Sequence, residues 1–415
     1  MSKASIWVPL KNRTFRNLWV ASVLSGSAVS AYDMAATWLM NTMTPSPFFL
    51  SLMSTFATLP FFLFTLPAGA FADMFDRRKL LCLMNLWLAI VAAGLAIANS
   101  TGLANPYLIL GTVFLLGIGF AFNAPAWTAI IPEVVAKEDL PSAVTLGGLQ
   151  ISLSGIVGPA IGGFVLSWVG VNLVFALNSA CFLLVILAVW RWKSANESSR
   201  VERSQVSREG FLRVLAKAIP HIRDAPGVRV VVIRTSVFGL FIAIIPALLP
   251  VIGLKQLGLN ASQLGLLFTS VAIGSAFGAV FVIPRMRAKF SPNTVTILAT
   301  ALLVLAYFLM GCALQPKAIL LVAGVAGIAW TVAASELWLA GQIAAPESAR
   351  GRLSAAYMMV SNGSMAVGGI VWGASAAVNG FEFTLHASSI LLLISLPWLL
   401  RFSIDVAHEG GKLRL

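Results

Sequence analysis

The sequence predicts an all-α membrane protein of about twelve transmembrane helices, arranged as two six-helix bundles with both termini cytoplasmic. Three observations carry that expectation. The 415-residue chain is 59% hydrophobic and only 10% charged, with a mean hydropathy of +0.90, more apolar than a water-soluble fold with charges spread over its surface. The charges are instead gathered: between Asn17 and Ala72 the one charge is Asp33, and between Leu80 and Pro132 there is none. Uncharged apolar runs of roughly 18 residues or more are what crossing about 30 Å of hydrocarbon requires. Finally, the cations alternate from loop to loop. Only Lys255 and Lys317 of the 28 Lys and Arg fall opposite the charge clusters, and cations mark the cytoplasmic side of short loops.

The elements follow in order. The first span begins near Leu18, and its basic approach, MSKASIWVPLKNRTFRNLW, leads into a run of span length with no small-residue cleavage site. It is therefore expected to stay in the membrane and not to be removed as a signal peptide. The second span ends in the charge knot GAFADMFDRRKLL, Gly69 to Leu81. Leu80 to Pro132 is too long for one span and long enough for two, and NSTGLANPY, Asn99 to Tyr107, supplies the Asn, Gly and Pro of a turn between them. Leu140 to Trp190 makes the next hairpin, broken at SWVGVN near Gly170. Three more hairpins run from about Val230 to Pro284, Ser291 to Ala345 and Leu353 to Phe402, with polar breaks near Lys255, Lys317 and Asn379.

These runs set the organisation: a first bundle over 1–190, a basic cytoplasmic bridge over 191–229 and a second bundle over 230–415. Within the bridge, Phe211, Leu215, Ala218, Ile219 and Ile222 recur at helical spacing, while Arg213, Lys217 and Arg223 take other faces. That pattern predicts an amphipathic helix on the membrane surface. A faint internal repeat accompanies the division. A shift of 214 places Pro132-Glu133 on Pro346-Glu347 and Ser154-Gly155 on Gly368-Gly369, and a shift of 209 places Gly69-Ala70 on Gly278-Ala279 and Arg78 on Arg287. Transporters are often built from two halves related in this way.

Several function classes are excluded on these grounds. The net charge of +13 is distributed as a topology signal, with no aromatic-interleaved basic patch, so nucleic acid is not an expected partner. His221, His386 and His408 are isolated, and no phosphate-cradling G-x-x-x-x-G-K-[ST] loop or zinc spacing occurs. Catalysis, ATP-driven transport, a metal centre and any cofactor are therefore not expected. Cys82, Cys181 and Cys312 lie singly in separate spans and read as packing residues.

The charge knot is itself a signature. Gly69, Asp73, Arg77 and Arg78 in GAFADMFDRRK resemble the cytoplasmic loop motif of the major facilitator superfamily, with Met74 replacing a usual cation and Asp76 a usual glycine. SGIVGPAIGG, Ser154 to Gly163, is similar to the fifth-helix motif of the superfamily's antiporters and contributes Gly155, Gly158, Pro159, Gly162 and Gly163, with Ser154 standing for the first glycine. FRNLWVASVLS, AATWLMNTMTPSP, PAWTAIIPEVV and GRLSAAYMMV extend the resemblance over nearly the whole chain, to the transmembrane secretion effector branch. That branch resembles the bacterial enterobactin and macrolide exporters. The resemblance implies a major facilitator fold, a multi-pass position in the bacterial cytoplasmic membrane, and export of a small amphipathic compound by alternating access with proton antiport. It also implies that the signature loop is a gate latch. The fourth span lacks the Arg that many drug antiporters of the superfamily place there, so coupling must use other groups.

Two deep carboxylates are the candidates. Asp33 stands roughly 15 residues, hence about 22 Å, into the first span, where an ionisable group is costly and functional by default. Its protonation would alternate with binding of a cationic or polar substrate; the alternative is a static hydrogen-bonded Asp. Glu336, in GIAWTVAASELWLAGQIAA, is a second proton or cation site. Arg234 is close enough to the interface to snorkel there rather than pair with Glu336. Asp73 is positioned to pair with Arg77 or Arg78. Substrate-cavity candidates are Tyr32, Trp38, Asn123, Trp127, Gln150, Trp338, Gln342, Tyr357 and Asn362, although intramembrane amides and aromatics also serve helix packing. The expected partners are a small-molecule substrate, protons and membrane lipids, with the chain acting as a monomer. A lysophospholipid or lipid flippase and a nutrient importer of the same fold are the rival readings.

Overall fold

The computed structural model describes residues 6–191, 226–312, 315–345 and 350–404. Among them there is no strand, and twelve long helices follow in order. They are α1 (Arg13–Met43), α2 (Pro47–Met74), α3 (Arg77–Ser100), α4 (Pro106–Val134), α5 (Leu140–Val169) and α6 (Val171–Arg191). After the bridge come α7 (Gly227–Gln256), α8 (Ala261–Arg287), α9 (Pro292–Gly311), α10 (Pro316–Ala344), α11 (Arg350–Asn379) and α12 (Phe381–Arg401). Nine of them, α2 to α10, are long and apolar enough to cross a membrane by length and composition. α1 and α11 combine Ser, Thr, Asn and Gly with charged residues, which lowers their hydropathy. The predicted amphipathic bridge helix, with His221 and His408, lies outside the described residues.

Local chemistry explains where helices begin and end. Asp76 is the cap of α3: its Oδ1 accepts the backbone N–H of Arg78 at 3.0 Å and of Lys79 at 3.2 Å. The Asp that departs from the loop motif therefore starts the third helix at once, because a short side-chain acceptor satisfies two of the orphan N–H groups of a helix end. Asn105 and Ser291 cap α4 and α9 ahead of Pro106 and Pro292, the favoured place for proline. Asn260 and Gln263 form a reciprocal capping box on α8. The turns from α5 to α6 and from α11 to α12 are made by Gly170 (φ 95°) and Gly380 (φ 82°), a conformation that costs glycine alone nothing.

By their contacts the residues form two compact units, Met1–Met43 with Phe64–Arg208, and Thr44–Leu63 with Glu209–Leu415. The early part of α2 thus groups with the second unit. Ser51 Oγ donates to the Ala247 carbonyl (3.2 Å) and Thr55 Oγ1 to the Ala366 carbonyl (3.0 Å), so hydroxyls on α2 satisfy carbonyls on α7 and α11.

Each unit contains a seam of small residues. In the first, α5 lies on α1 so closely that a Cβ on Gly158 would stand 2.4 Å from the Ser27 carbonyl oxygen, and one on Gly162 would stand 2.6 Å from Ala31 Cβ. In the second, a Cβ on Gly368 of α11 would stand 2.3 Å from the Leu240 carbonyl oxygen of α7. Small residues let transmembrane backbones approach and gain dispersion contact without a hydrophobic driving force.

Candidate functional site

The signature loop closes with two Arg contacts inside the first unit. Arg77 Nη1 donates to Glu133 Oε1 at 2.7 Å, tying the start of α3 to the end of α4, and Arg78 Nη2 donates to the Trp190 carbonyl at the end of α6. Asp73 stands in the last turn of α2; its side chain lies outside the description. A Cβ on Gly69 would meet nothing within 4 Å.

The antiporter-type motif is the α1–α5 seam itself. Gly158, Pro159, Gly162 and Gly163 are buried in it, with Gly155 half-buried. Just before it, Gln150 Nε2 donates to the Ser22 carbonyl and to Ser154 Oγ, both at 3.1 Å, and Ser154 Oγ donates to the Val23 carbonyl at 3.2 Å. Beyond Ser154 the backbones of α1 and α5 touch; before it Trp19 Nε1 still donates to the Leu146 carbonyl at 2.8 Å, and Trp19, Trp127 and Gln150 help to line a narrow cleft between α1, α4 and α5.

Asp33 lies in the second half of α1 and is exposed, between fully buried neighbours Tyr32 and Met34. Its carbonyl accepts Thr37 Oγ1 at 2.7 Å, one turn on. The carboxylate therefore stands on an open side of α1, with the residues before and after it turned into the packing. Tyr32 is part of that packing, with its ring centroid 4.8 Å from that of Phe175. Trp38 and Asn123 are half-buried on α1 and α4.

Glu336 is buried in the second unit, 1% exposed, and its Oε1 accepts Arg287 Nε at 2.7 Å. Its Oε2 is buried with no hydrogen-bond partner among the described residues. Arg234 is not its partner and does not snorkel. The residue is 3% exposed, and its guanidinium donates to Asn293 Oδ1, to Thr296 Oγ1 at 2.8 Å and to the Phe402 carbonyl at 3.3 Å. Snorkelling was expected from the distance of Arg234 to the helix end alone. Acceptors on α9 and after α12 solvate the charge inside the bundle instead, which removes the need to reach water.

Of the remaining cavity candidates, Trp338 stacks edge-on with Tyr357 at 5.1 Å, and Gln342 Nε2 donates to Ser354 Oγ at 2.9 Å. These residues join α10 to α11. Asn362 Nδ2 turns back to the Met358 carbonyl of its own helix at 2.9 Å. The structure thus assembles Trp127 with Gln150 in one unit and Trp338 with Gln342 and Tyr357 in the other. Sequence reasoning missed Arg287 as the counter-charge of Glu336 and Trp19 as a cleft residue. For Arg287 a signal existed, since the internal repeat aligned it with Arg78.

With the geometry established, comparison with known proteins is informative. The transmembrane secretion effector family matches residues 4–411. The chain is 25% identical over 403 residues to the enterobactin exporter EntS of Escherichia coli O1:K1 / APEC, covering 94% of this chain and 93% of that protein. It is 23% identical over 270 residues to the macrolide efflux protein A of Streptococcus pyogenes, covering 65% of each. Among solved structures, it superposes on the nucleoside transporter NupG with a TM-score of 0.70 at 11% identity, covering 94% of this chain and 98% of that one. It also superposes on a D-xylose-proton symporter with a TM-score of 0.68 at 15% identity, covering 92% and 97%.

Proposed function

Because the chain belongs to the transmembrane secretion effector family of the major facilitator superfamily, multi-pass membrane transporters rather than enzymes, we propose that it exports a small amphipathic compound from the bacterial cytoplasm by alternating access, driven by proton entry. Twelve spans, cytoplasmic termini, bundles over 1–190 and 230–415 joined by the 191–229 bridge, and action as a monomer in the cytoplasmic membrane belong to this reading. The names of the relatives, an enterobactin exporter and a macrolide efflux protein, support export over import.

The observation that carries the coupling is the contrast of Asp33, exposed between buried neighbours on α1, with Glu336, buried against Arg287. An intramembrane carboxylate open on one side can take up and release a proton as the pathway beside it opens and closes. Asp33 is the primary proton site and Glu336 the second. Asp73, Arg77 and Arg78 with Gly69 form the latch, a contact made in one state and broken in the other. The motif glycines Gly155, Gly158, Gly162 and Gly163 with Pro159 form a tight wall against leak.

Transport in reconstituted vesicles with an imposed proton gradient tests the mechanism. Asp33→Asn is expected to abolish gradient-driven accumulation and Glu336→Gln to reduce it. Parental transport by both variants removes proton antiport through these residues.

A further inference from the structure

The first unit begins with an edge that is basic at one end and apolar at the other. Val8–Lys11 form a short 3-10 turn, and Asn12 fixes it to the rest of the unit. Asn12 Oδ1 accepts the backbone N–H groups of Thr14 (2.9 Å) and Phe15 (3.2 Å), capping α1, while its Nδ2 donates to the Val134 carbonyl at the end of α4 (2.9 Å). α1 turns Phe15 into a cluster with Val135 and Ala143 of the α4–α5 corner, and Leu18 into another with Leu81 and Ala126. On the opposite side Arg13, Arg16, Asn17, Val20 and Leu24 are all exposed, at the three- and four-residue spacing of one helical stripe. Polarity changes in one direction along it. Two guanidinium groups come first, then an amide, then Val20 and Leu24, 44% and 49% exposed. Leu24 lies eight residues past Arg16, about 12 Å along the helix. Lys11 is exposed just before Arg13, and Ile6 and Trp7 are exposed ahead of the turn. None of Lys11, Arg13 and Arg16 is in an ion pair among the described residues. Of the carboxylates near the corner, Glu133 is held by Arg77, and Glu138 and Asp139 belong to the segment that packs, through Val135 and Ala143, on the Phe15 side of α1.

We propose that this stripe seats an anionic phospholipid, its phosphate held by Arg13 and Arg16 with Lys11 beside them and an acyl chain lying on Val20 and Leu24. The proposal goes beyond the export reading. It rests on α1 being a span, and neither orientation nor proton coupling enters it. A guanidinium meets a phosphate with paired N–H donors, and each Lys or Arg close to an anionic membrane surface adds roughly fivefold in affinity. A zwitterionic head group brings its own cation towards three cations of the protein, so like charges oppose it. A soluble anion would meet the cations but leave Val20 and Leu24 uncovered, whereas a lipid matches both ends of the stripe. Trp7 suits the same level, since amphipathic rings favour the membrane interface. The Asn12 clamp holds the turn and the head of α1 in place before a lipid arrives, which lowers the cost of ordering them.

Photo-crosslinking of the full-length protein in nanodiscs tests this, with phosphatidylglycerol and phosphatidylcholine that carry the same diazirine in an acyl chain. At equal mole fraction, phosphatidylglycerol is expected to label the segment around Val20 and Leu24 about tenfold more than phosphatidylcholine. The triple variant Lys11→Gln/Arg13→Gln/Arg16→Gln is expected to lose that preference. Arg13→Lys/Arg16→Lys, which keeps the charge, retains most of it, and Lys317→Gln, at an exposed cation of the second unit, leaves it unchanged. Equal labelling of the parent by the two lipids, or a full preference in the folded triple variant, overturns the proposal while leaving α1 a span. Labelling of this segment by neither lipid overturns the proposal together with the reading of α1 as a span.

Discussion

Two ion pairs of the same length, 2.7 Å, hold the two units in unlike ways. Arg77 and Glu133 have side chains 19% and 25% exposed, whereas Arg287 is 42% exposed and Glu336 only 1%. In the first pair both charges keep part of their hydration, so either can be released at little cost. In the second the carboxylate is buried and has one oxygen, Oε2, with no partner among the described residues, while its cation stays partly exposed. Distance alone therefore says nothing about worth. A partly hydrated pair contributes about 0–1 kcal/mol, suited to a contact that must open. A buried carboxylate depends on its partner, because removing that partner leaves an uncompensated charge at about 3–5 kcal/mol.

The contrast can be broken most severely at Arg287. Arg287→Ala is expected to lower stability by about 3–5 kcal/mol, read as a fall in the unfolding midpoint in detergent, and adding Glu336→Gln should restore most of it. A single-variant midpoint equal to the parent's would show that Glu336 is not held by Arg287.

The glycine seams, unlike the ion pairs, are matched across the units, which makes them a control. Gly158→Ala and Gly368→Ala each force a methyl to within 2.4 Å and 2.3 Å of a backbone oxygen. Both should destabilise by a similar ~1–3 kcal/mol, measured by the same thermal unfolding. A large loss at one and none at the other would mean the two seams are not equivalent.

Smaller still is the effect at the loop. Arg77→Ala should cost under about 1 kcal/mol yet shift the distance distribution between spin labels on the cytoplasmic loops, as should Asp73→Asn. Unaltered distributions in both variants would count against a latch. The smallest effect is that of salt: at 1 M, where screening acts within about 3 Å, the Arg77–Glu133 coupling in a double-mutant cycle should fade while that of Arg287 and Glu336 persists.

How much of this was legible beforehand varies with the range of the interaction. Helix positions were readable because a backbone in lipid must satisfy its own hydrogen bonds within one segment, so an uncharged run bounded by Gly, Pro or Asn is nearly sufficient. Gly170 and Gly380 were placed within a residue or so by the breaks at SWVGVN and Asn379. The candidate site was legible residue by residue but not pair by pair. Trp127 and Gln150 were both candidates, yet only the packing of α4 and α5 on α1 brings them to one cleft. Arg234 was misjudged because its acceptors, Asn293, Thr296 and Phe402, lie more than fifty residues away.

The sequence by itself determined the helical class and the order of the helices, together with the rarity of charge that singles out Asp33 and Glu336. These depend on hydrophobicity and on chemistry reaching three or four residues. Tertiary structure alone decided that Asp33 faces outward while Glu336 is enclosed, that Arg287 and not Arg234 neutralises it, and that the α1–α5 seam opens into an uncharged cleft. Each of these depends on how helices are rotated about their axes against distant neighbours. That rotation is set by which small residues allow two backbones to meet.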